Sequence, residues 1–237
     1  RTVTSRNSTG ALQDLTYDYL VLSPGSNTNT FGVPGADQHA FFMRELGDAI
    51  ALRNHIIDCF EHAATERDPA TKAELLRFVV VGAGPTGVEL AAEMQDLIHN
   101  ILNRRYPEVD PGAVEVYLIQ SGNQVLPGWH PAMAAQTEKQ LRVIRVALRL
   151  ETRVTAVAPN GVTLGTGEQI QARTVVWCTG VKPAEIMKAC GLPATRSGQV
   201  VVQPVAPGAL TPKAFMTSVV LSENTCRMSA PTIGPIK

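Results

Sequence analysis

The sequence predicts an α/β fold: a three-layer domain over residues 74–182, built on a parallel sheet, with a β-hairpin element at 145–173. Three observations carry this prediction. Phe78-Val-Val-Val81 is an apolar, largely β-branched run of the kind buried in parallel sheets. Gly82, Gly84 and Gly87 follow it at G-x-G-x-x-G spacing. The Ala-rich, Glu-bearing stretch from Val88 onward then reads as a helix. Strand, glycine turn and helix in this order make a Rossmann-like dinucleotide fingerprint.

Ahead of this unit, residues 1–40 read as the remnant of another domain, and 41–73 as a connecting helix and linker. Thr2 to Arg6 and Leu15 to Leu22 are expected to pair across the turn Asn7-Ser-Thr-Gly10, and Ser23-Pro24-Gly25 ends the return strand. A Gly/Pro/Asn-rich loop covers 26–38. From Phe42 to Ala64 the apolar spacing of Leu46, Ala49, Ile50, Ile56, Ile57 and Phe60 predicts a helix. Glu66 to Ala73 is polar, contains Pro69, and is expected to be a linker.

The helix after the glycines should run to Arg104, where Tyr106-Pro-Glu-Val-Asp-Pro-Gly112 breaks it. Val114 to Gln120 is the second parallel strand, and Pro131 to Leu141 a second helix. Ala147–Val157 and Val162–Leu164 read as short strands with a hairpin turn at Asn160-Gly161. Thr174 to Cys178 is another buried strand, closed by Thr179-Gly180. Residues 183–204 are expected to return to the first domain. Val205 to Lys237, with four prolines and no periodic face, predicts an irregular tail.

Composition narrows function mainly by exclusion. Lys plus Arg and Asp plus Glu balance at 21 each, so no basic surface for nucleic acid is indicated. Cys59, Cys178, Cys190 and Cys226 form no C-x-x-C, and read as small buried apolar residues rather than a redox dithiol or zinc knuckle. The histidines show no metal-ligand spacing; His55 and His62, seven apart, suggest a shared helix face. No 18-residue apolar run is present. The abrupt start at Arg1 reads as that of a fragment.

The candidate site residues follow from the fingerprint. Gly82 permits the tight turn, Gly84 lets backbone approach a pyrophosphate, and Gly87 lets helix and strand pack closely. Pro85 and Thr86 open the helix, whose N-terminus offers free N–H groups and a positive dipole end. Glu89 is placed in the first turn, where the dipole favours a carboxylate. Gln120 ends the second strand, where an acidic residue commonly bonds the adenosine ribose. It comes 33 residues after Gly87, against the usual spacing of about 20; the long helix and the Tyr106–Gly112 segment account for the excess. Its amide can bond a ribose hydroxyl without repelling a 2′-phosphate; the bland alternative is a surface glutamine. Gly180 and Val181 follow the Trp177 strand, and Gly180 can be a turn glycine with positive φ, a flat backbone seat for a planar ring, or both.

Several segments together resemble two-dinucleotide flavoprotein oxidoreductases: Gly82–Glu93, Tyr17-Asp-Tyr-Leu-Val-Leu-Ser-Pro-Gly25, and Trp177-Cys-Thr-Gly-Val-Lys-Pro183. The loop Asn29-Thr-Phe-Gly-Val-Pro-Gly35, the helix Asn54–Glu61 and the insertion Arg105-Tyr-Pro-Glu108 narrow the resemblance to type II NADH dehydrogenases. The resemblance covers residues 15–204. It implies a partial FAD-binding domain beside an NAD(P)H-binding domain, with hydride passing from NAD(P)H to FAD and electrons to a quinone. It implies that Glu89 faces the nicotinamide–flavin junction, that Gly180 and Val181 border the nicotinamide, and that Pro24 and Gly25, with Asn29 and Thr30, face the flavin. It also implies peripheral contact with a membrane, on the cytoplasmic or organelle-matrix side, for the parent enzyme. Three departures qualify it. The family's amino-terminal G-x-G-x-x-G has no counterpart, Pro212-Lys-Ala-Phe215 is not followed by Gly-Asp, and no C-terminal amphipathic helix is evident. The chain alone is therefore expected to bind FAD weakly and to oxidise NADH negligibly. The alternative reading is a non-catalytic NAD(P)-binding module.

Overall fold

The computed structural model describes residues 2–18, 23–189, 194–196 and 198–199. The expected tail at 205–237, and residues 19–22 of the expected return strand, lie outside them. The chain divides into two compact units, one of residues 1–27 with 181–237, the other of 28–180.

In the first unit, β1 (Thr2–Arg6) pairs antiparallel with β2 (Leu12–Thr16). The return strand is thus three residues earlier than the apolar pattern suggested. Asn7 sets this register: its Oδ1 accepts from the N–H of Thr9 and of Ala11, and this side-chain turn closes the hairpin early. A short β3 (Ser26–Thr28) follows Gly25.

The second unit opens with α1 (Ala36–His39) and β4 (Phe41–Phe42). The expected helix from Phe42 starts instead at Leu46, as α2 (Leu46–Thr65). The two phenylalanines are extended because they pair with the last strand of the sheet, and Asp48 starts the helix by accepting from the N–H groups of Arg44 and Glu45. The expected linker holds a helix, α3 (Pro69–Leu75). Asp68 caps it by accepting from the Thr71 N–H at 2.8 Å. Pro69 sits at the first helical position, where its missing N–H costs nothing.

Next come β5 (Arg77–Val81) and α4 (Pro85–Leu97), extended by a π-helical stretch at Ile98–Leu102 and a last turn, α5 (Asn103–Arg105). The continuous run matches the expected helix to Arg104. β6 (Glu115–Ile119), α6 (Pro131–Val143) and β7 (Val146–Arg149) complete two parallel crossovers. Ala147–Val157 is not one strand. Glu151 at φ 50° turns the chain, with its N–H bonded to Gly122 O, and β8 (Val154–Ala158) starts a separate sheet. That sheet is three-stranded and antiparallel, with β9 (Gly161–Leu164) central and β10 (Gln169–Gln171) beyond it. The hairpin element expected at 145–173 is therefore 154–171, and 146–149 belongs to the parallel sheet. β11 (Thr174–Trp177) returns to that sheet, whose order is β4-β11-β5-β6-β7. β12 (Val181–Pro183) pairs with β3, and α7 (Ile186–Ala189) follows.

Strand β5 is central, and its alternating side chains serve two cores. Phe78 and Val80 pack with Phe60, Met94 and Leu118 on the helical side. Val79 and Val81 pack with Val157, Val162, Leu164 and Trp177 on the side of the antiparallel sheet. Both faces of the sheet are thus covered, which explains why its strands are near-continuously apolar. Among the described residues, no helix is long and apolar enough to cross a membrane.

His55 is half-buried at the edge of the helical core, while His62 on the same helix is exposed. The His55 Nε2 lies 3.0 Å from the Thr174 hydroxyl and 3.5 Å from the Cys59 thiol. Burial holds the imidazole below its ordinary pKa of 6.5, opposed by a backbone hydrogen bond with Arg173 and the charge of Asp58. The unfolded chain therefore takes up this proton first. The stability contribution is whole above pH 6.5 and is lost as pH falls from there toward the lower folded-state pKa. His55→Gln is expected to flatten the fall in melting temperature between about pH 7.5 and 5.5; an unchanged slope refutes the assignment.

Candidate nucleotide-binding cleft

The glycine turn joins β5 to α4, and its backbone explains each glycine differently. Gly82 has φ 102°, and a Cβ there would sit 2.7 Å from the Thr179 methyl and 2.9 Å from Cys178 O. Gly84 is the N-cap of α4 at φ −71°, with nothing within 4 Å of an added Cβ, so its open side is available to a ligand. Gly87 is buried, and a Cβ there would meet Gly82 O at 1.8 Å. The helix can lie on the turn only because that Cβ is absent. Pro85 and Thr86 are exposed at the first two helical positions. The first N–H groups of α4 have no acceptor within the helix, and they point with its dipole toward the space over Gly84.

A cleft of about 280 Å³ lies at the carboxyl ends of the parallel strands. It is walled by Val81 and Gly82 at the end of β5, by Ile119 to Ser121 at the end of β6, by Thr152 to Val154 at the start of β8, and by Trp177 and Thr179 at the end of β11. Such crevices are where open α/β sheets take ligands. β5 connects to β6 on one side, whereas its other neighbour is β11, so the chain changes winding direction at β5. Gly82 alone of the three glycines lines the cleft.

Gln120 lines the cleft, but its side chain also serves the turn: Oε1 accepts from the Ala83 N–H at 3.1 Å. Its backbone is fixed too, since its N–H donates to Arg149 O and its carbonyl accepts from Thr152 N–H. What remains to a ligand is the Nε2 donor. Glu89 is exposed and lies in the second turn of α4, not the first as the sequence suggested, because the helix begins at Pro85. The dipole is weak that far in. Its carboxylate makes no hydrogen bond or ion pair with the described residues. Gly180 has φ 52°, the turn-glycine geometry. Val181, 69% exposed, belongs to the other compact unit together with Pro24 and Gly25, the latter at φ 69°. Those three are therefore not gathered with the glycine turn within one unit.

The side-chain oxygen and the backbone carbonyl of Asn29 are both engaged within the protein. Its Oδ1 accepts from the Phe31 N–H at 2.9 Å, and its carbonyl accepts from Trp177 Nε1 at 3.1 Å and the Thr179 hydroxyl at 3.4 Å. Thr30 is buried, with its hydroxyl donating to Asp37 at 3.2 Å. The sequence reading missed Phe31, Ser121, Thr152, Arg153 and Thr179, all of which wall the cleft. The only signal for Arg153 was the position of a cation after a strand end, hidden because 147–157 read as one strand. Burial pushes the Cys178 thiol up to about 12 and raises that of Cys59, so neither is a thiolate at neutral pH.

The chain matches the pyridine nucleotide-disulphide oxidoreductase family profile over residues 1–205. It is 35% identical over 189 residues to the mitochondrial external alternative NADH-ubiquinone oxidoreductase of Yarrowia lipolytica, covering 76% of this chain and 32% of that protein. It is 33% identical over 220 residues to the type II NADH:quinone oxidoreductase NdhA of Mycobacterium tuberculosis, covering 86% of this chain and 45% of that protein. The structure of NDH2 from Plasmodium falciparum in complex with NADH superposes with a TM-score of 0.74 at 23% identity, over 81% of this chain and 41% of that one; this last likeness speaks to fold. The chain spans about a third of the length of the Yarrowia relative.

Proposed function

The chain belongs to the pyridine nucleotide-disulphide oxidoreductase family, and from that premise we propose that residues 74–182 bind NAD(P)H across the glycine turn, as the nucleotide-binding part of a type II NAD(P)H:quinone oxidoreductase. The observation that carries this reading is Gly84, an N-cap with open space where its side chain would be, at the head of a 13-residue helix. The pyrophosphate lies over Gly84 and takes hydrogen bonds from the first turn of α4. The adenosine lies toward Gln120, Thr152 and Arg153, and the nicotinamide toward Thr179 and Gly180.

In the whole protein, bound FAD would supply the hydride acceptor and the electron route to a quinone, at a peripheral membrane site. Among the described residues of the first unit, 2–18, 23–27, 181–189, 194–196 and 198–199, no glycine turn opens a helix, so only Pro24 and Gly25 are assigned to flavin. Glu89, exposed and two residues beyond Gly87, is the residue that takes or gives a proton beside the nicotinamide. A competing reading, a binding module without flavin, is separated by the visible flavin absorbance of the purified protein. Bound flavin supports the oxidoreductase, and nucleotide binding without it supports the module.

The neutral Gln120 and the cationic Arg153 set the nucleotide preference. Neither repels a 2′-phosphate, and an exposed guanidinium in the cleft wall attracts one. NADPH is therefore expected to bind within about tenfold of NADH, a gap of roughly 1.4 kcal/mol. Gln120→Glu keeps the acceptor for the Ala83 N–H but adds a charge, and should weaken NADPH about tenfold or more relative to NADH. Calorimetric titration with both nucleotides tests this. A strong NADH preference in the unaltered protein overturns the specificity reading, and no binding of either overturns the function.

A further inference from the structure

The aromatic residue Phe31 sits at the cleft in a way that packing alone does not require. Its backbone has φ 53°, a left-handed conformation that bulky side chains rarely adopt. Its side chain buys no burial for that strain, since the residue is 66% exposed. The surrounding bonds hold it there. Asn29 Oδ1 takes the Phe31 N–H, Asn29 O is tied to Trp177 and Thr179, and the Asn29 N–H donates to Gly180 O at 3.3 Å. The loop is thus fastened to the end of β11.

The ring lies against Gly180. A Cβ on that glycine would come within 2.8 Å of the Phe31 Cζ and 3.0 Å of Cε2. The flat face of Gly180, one reading of which is a seat for a planar ring, is thus taken from one side by a ring of the protein itself. The ring also walls the cleft. Strained backbone held by several bonds, at a cleft, around an exposed aromatic side chain, is the pattern of a preorganised functional residue.

We propose that Phe31 is the stacking platform for the nicotinamide ring, a positioning and specificity residue at the β11 end of the cleft. This rests on the dinucleotide reading given above. The chemistry makes a graded demand. The oxidised nicotinamide is a planar cation and gains both stacking and cation–π attraction from a phenyl face. The dihydronicotinamide is neutral and puckered and gains less. ADP-ribose, which lacks the ring, gains nothing.

Phe31→Ala, Phe31→Leu and Phe31→Tyr are to be titrated calorimetrically with NAD+, NADH and ADP-ribose, with circular dichroism as a check on folding. The expected result for Phe31→Ala is about tenfold weaker NAD+ binding, about threefold weaker NADH binding and unchanged ADP-ribose binding. Phe31→Leu keeps apolar bulk without a π face and should lose NAD+ affinity as the Ala variant does, whereas Phe31→Tyr should restore it. Equal losses for ADP-ribose and NAD+, unchanged NAD+ affinity, or tighter NAD+ binding in Phe31→Ala each overturn the platform. Failure of the unaltered protein to bind either NAD+ or ADP-ribose overturns the dinucleotide reading and the platform with it.

Discussion

Gly84→Val is expected to weaken NADH binding by about a hundredfold or more while leaving the protein folded. The backbone at this position, φ −71° and ψ −178°, is extended, and valine adopts it without strain. No atom lies within 4 Å of the added Cβ, so nothing in the free protein resists it. Valine caps a helix less well than glycine, at a cost of up to about 1 kcal/mol. The damage falls on the ligand. The pyrophosphate must come close to the Gly84 backbone to reach the N–H groups of α4, and a branched side chain stands in that path. Losing those charge-assisted hydrogen bonds accounts for about 2.7 kcal/mol, which is the hundredfold. Calorimetric titration with NADH beside a thermal melt decides the matter. Unchanged affinity with an intact melt places the nucleotide elsewhere, and a lost melt shows that Gly84 is structural.

The parts of this fold that depend on local pattern were legible in the sequence. Phe78 to Val81 reads as buried because both faces of β5 are covered, so no alternation is needed. The glycine spacing reads because each position answers a separate steric demand, visible here at Gly82, Gly84 and Gly87. What failed was set by capping and by distant partners. Pro69 reads as a breaker in isolation, yet after the Asp68 cap it begins a helix. Phe42 begins a helical pattern in sequence, but the edge of the sheet at Val176 and Trp177 draws it and Phe41 out as a strand. Glu151 carries no mark of its φ of 50°, so the break between β7 and β8 stayed hidden, and Thr152 and Arg153 with it.

The candidate site divides along the same line. Residues adjacent to the fingerprint were found, whereas the facing wall was not, because Phe31, Thr152 and Thr179 reach the cleft from loops far apart in sequence. Gln120 shows a third case. Its position was read correctly as a strand end, but the bond from the Ala83 N–H to its Oε1 is a tertiary contact that no local pattern announces. That bond ties the end of β6 to the glycine turn of β5. The residue proposed to sense the ribose thus also steadies the glycine turn.

Gly87→Ala should do the opposite of Gly84→Val, and damage the fold before the ligand. The added methyl would sit 1.8 Å from Gly82 O, 3.0 Å from Gly82 C and 3.4 Å from the Cys178 Cβ. The first two of these are backbone of the same turn, which no change of rotamer can relieve. The turn is itself pinned: the Gly82 N–H donates to Ile119 O at 2.7 Å, and Ala83 O accepts from Leu126 N–H at 2.7 Å. Helix α4 must therefore move away from β5, and it carries Ala91 and Met94 out of the helical core as it goes. Overpacking of this kind costs about 3 kcal/mol at the upper end of its usual range. Alanine's better helix propensity returns only about 1 kcal/mol, so the clash wins. Net of that gain about 2 kcal/mol remains, which for a domain of this size is a fall of roughly 6 °C in melting temperature. A melt within about 2 °C of the unaltered protein would mean that the helix and turn are not packed as described, and the geometry assigned to the phosphate site would fall with it.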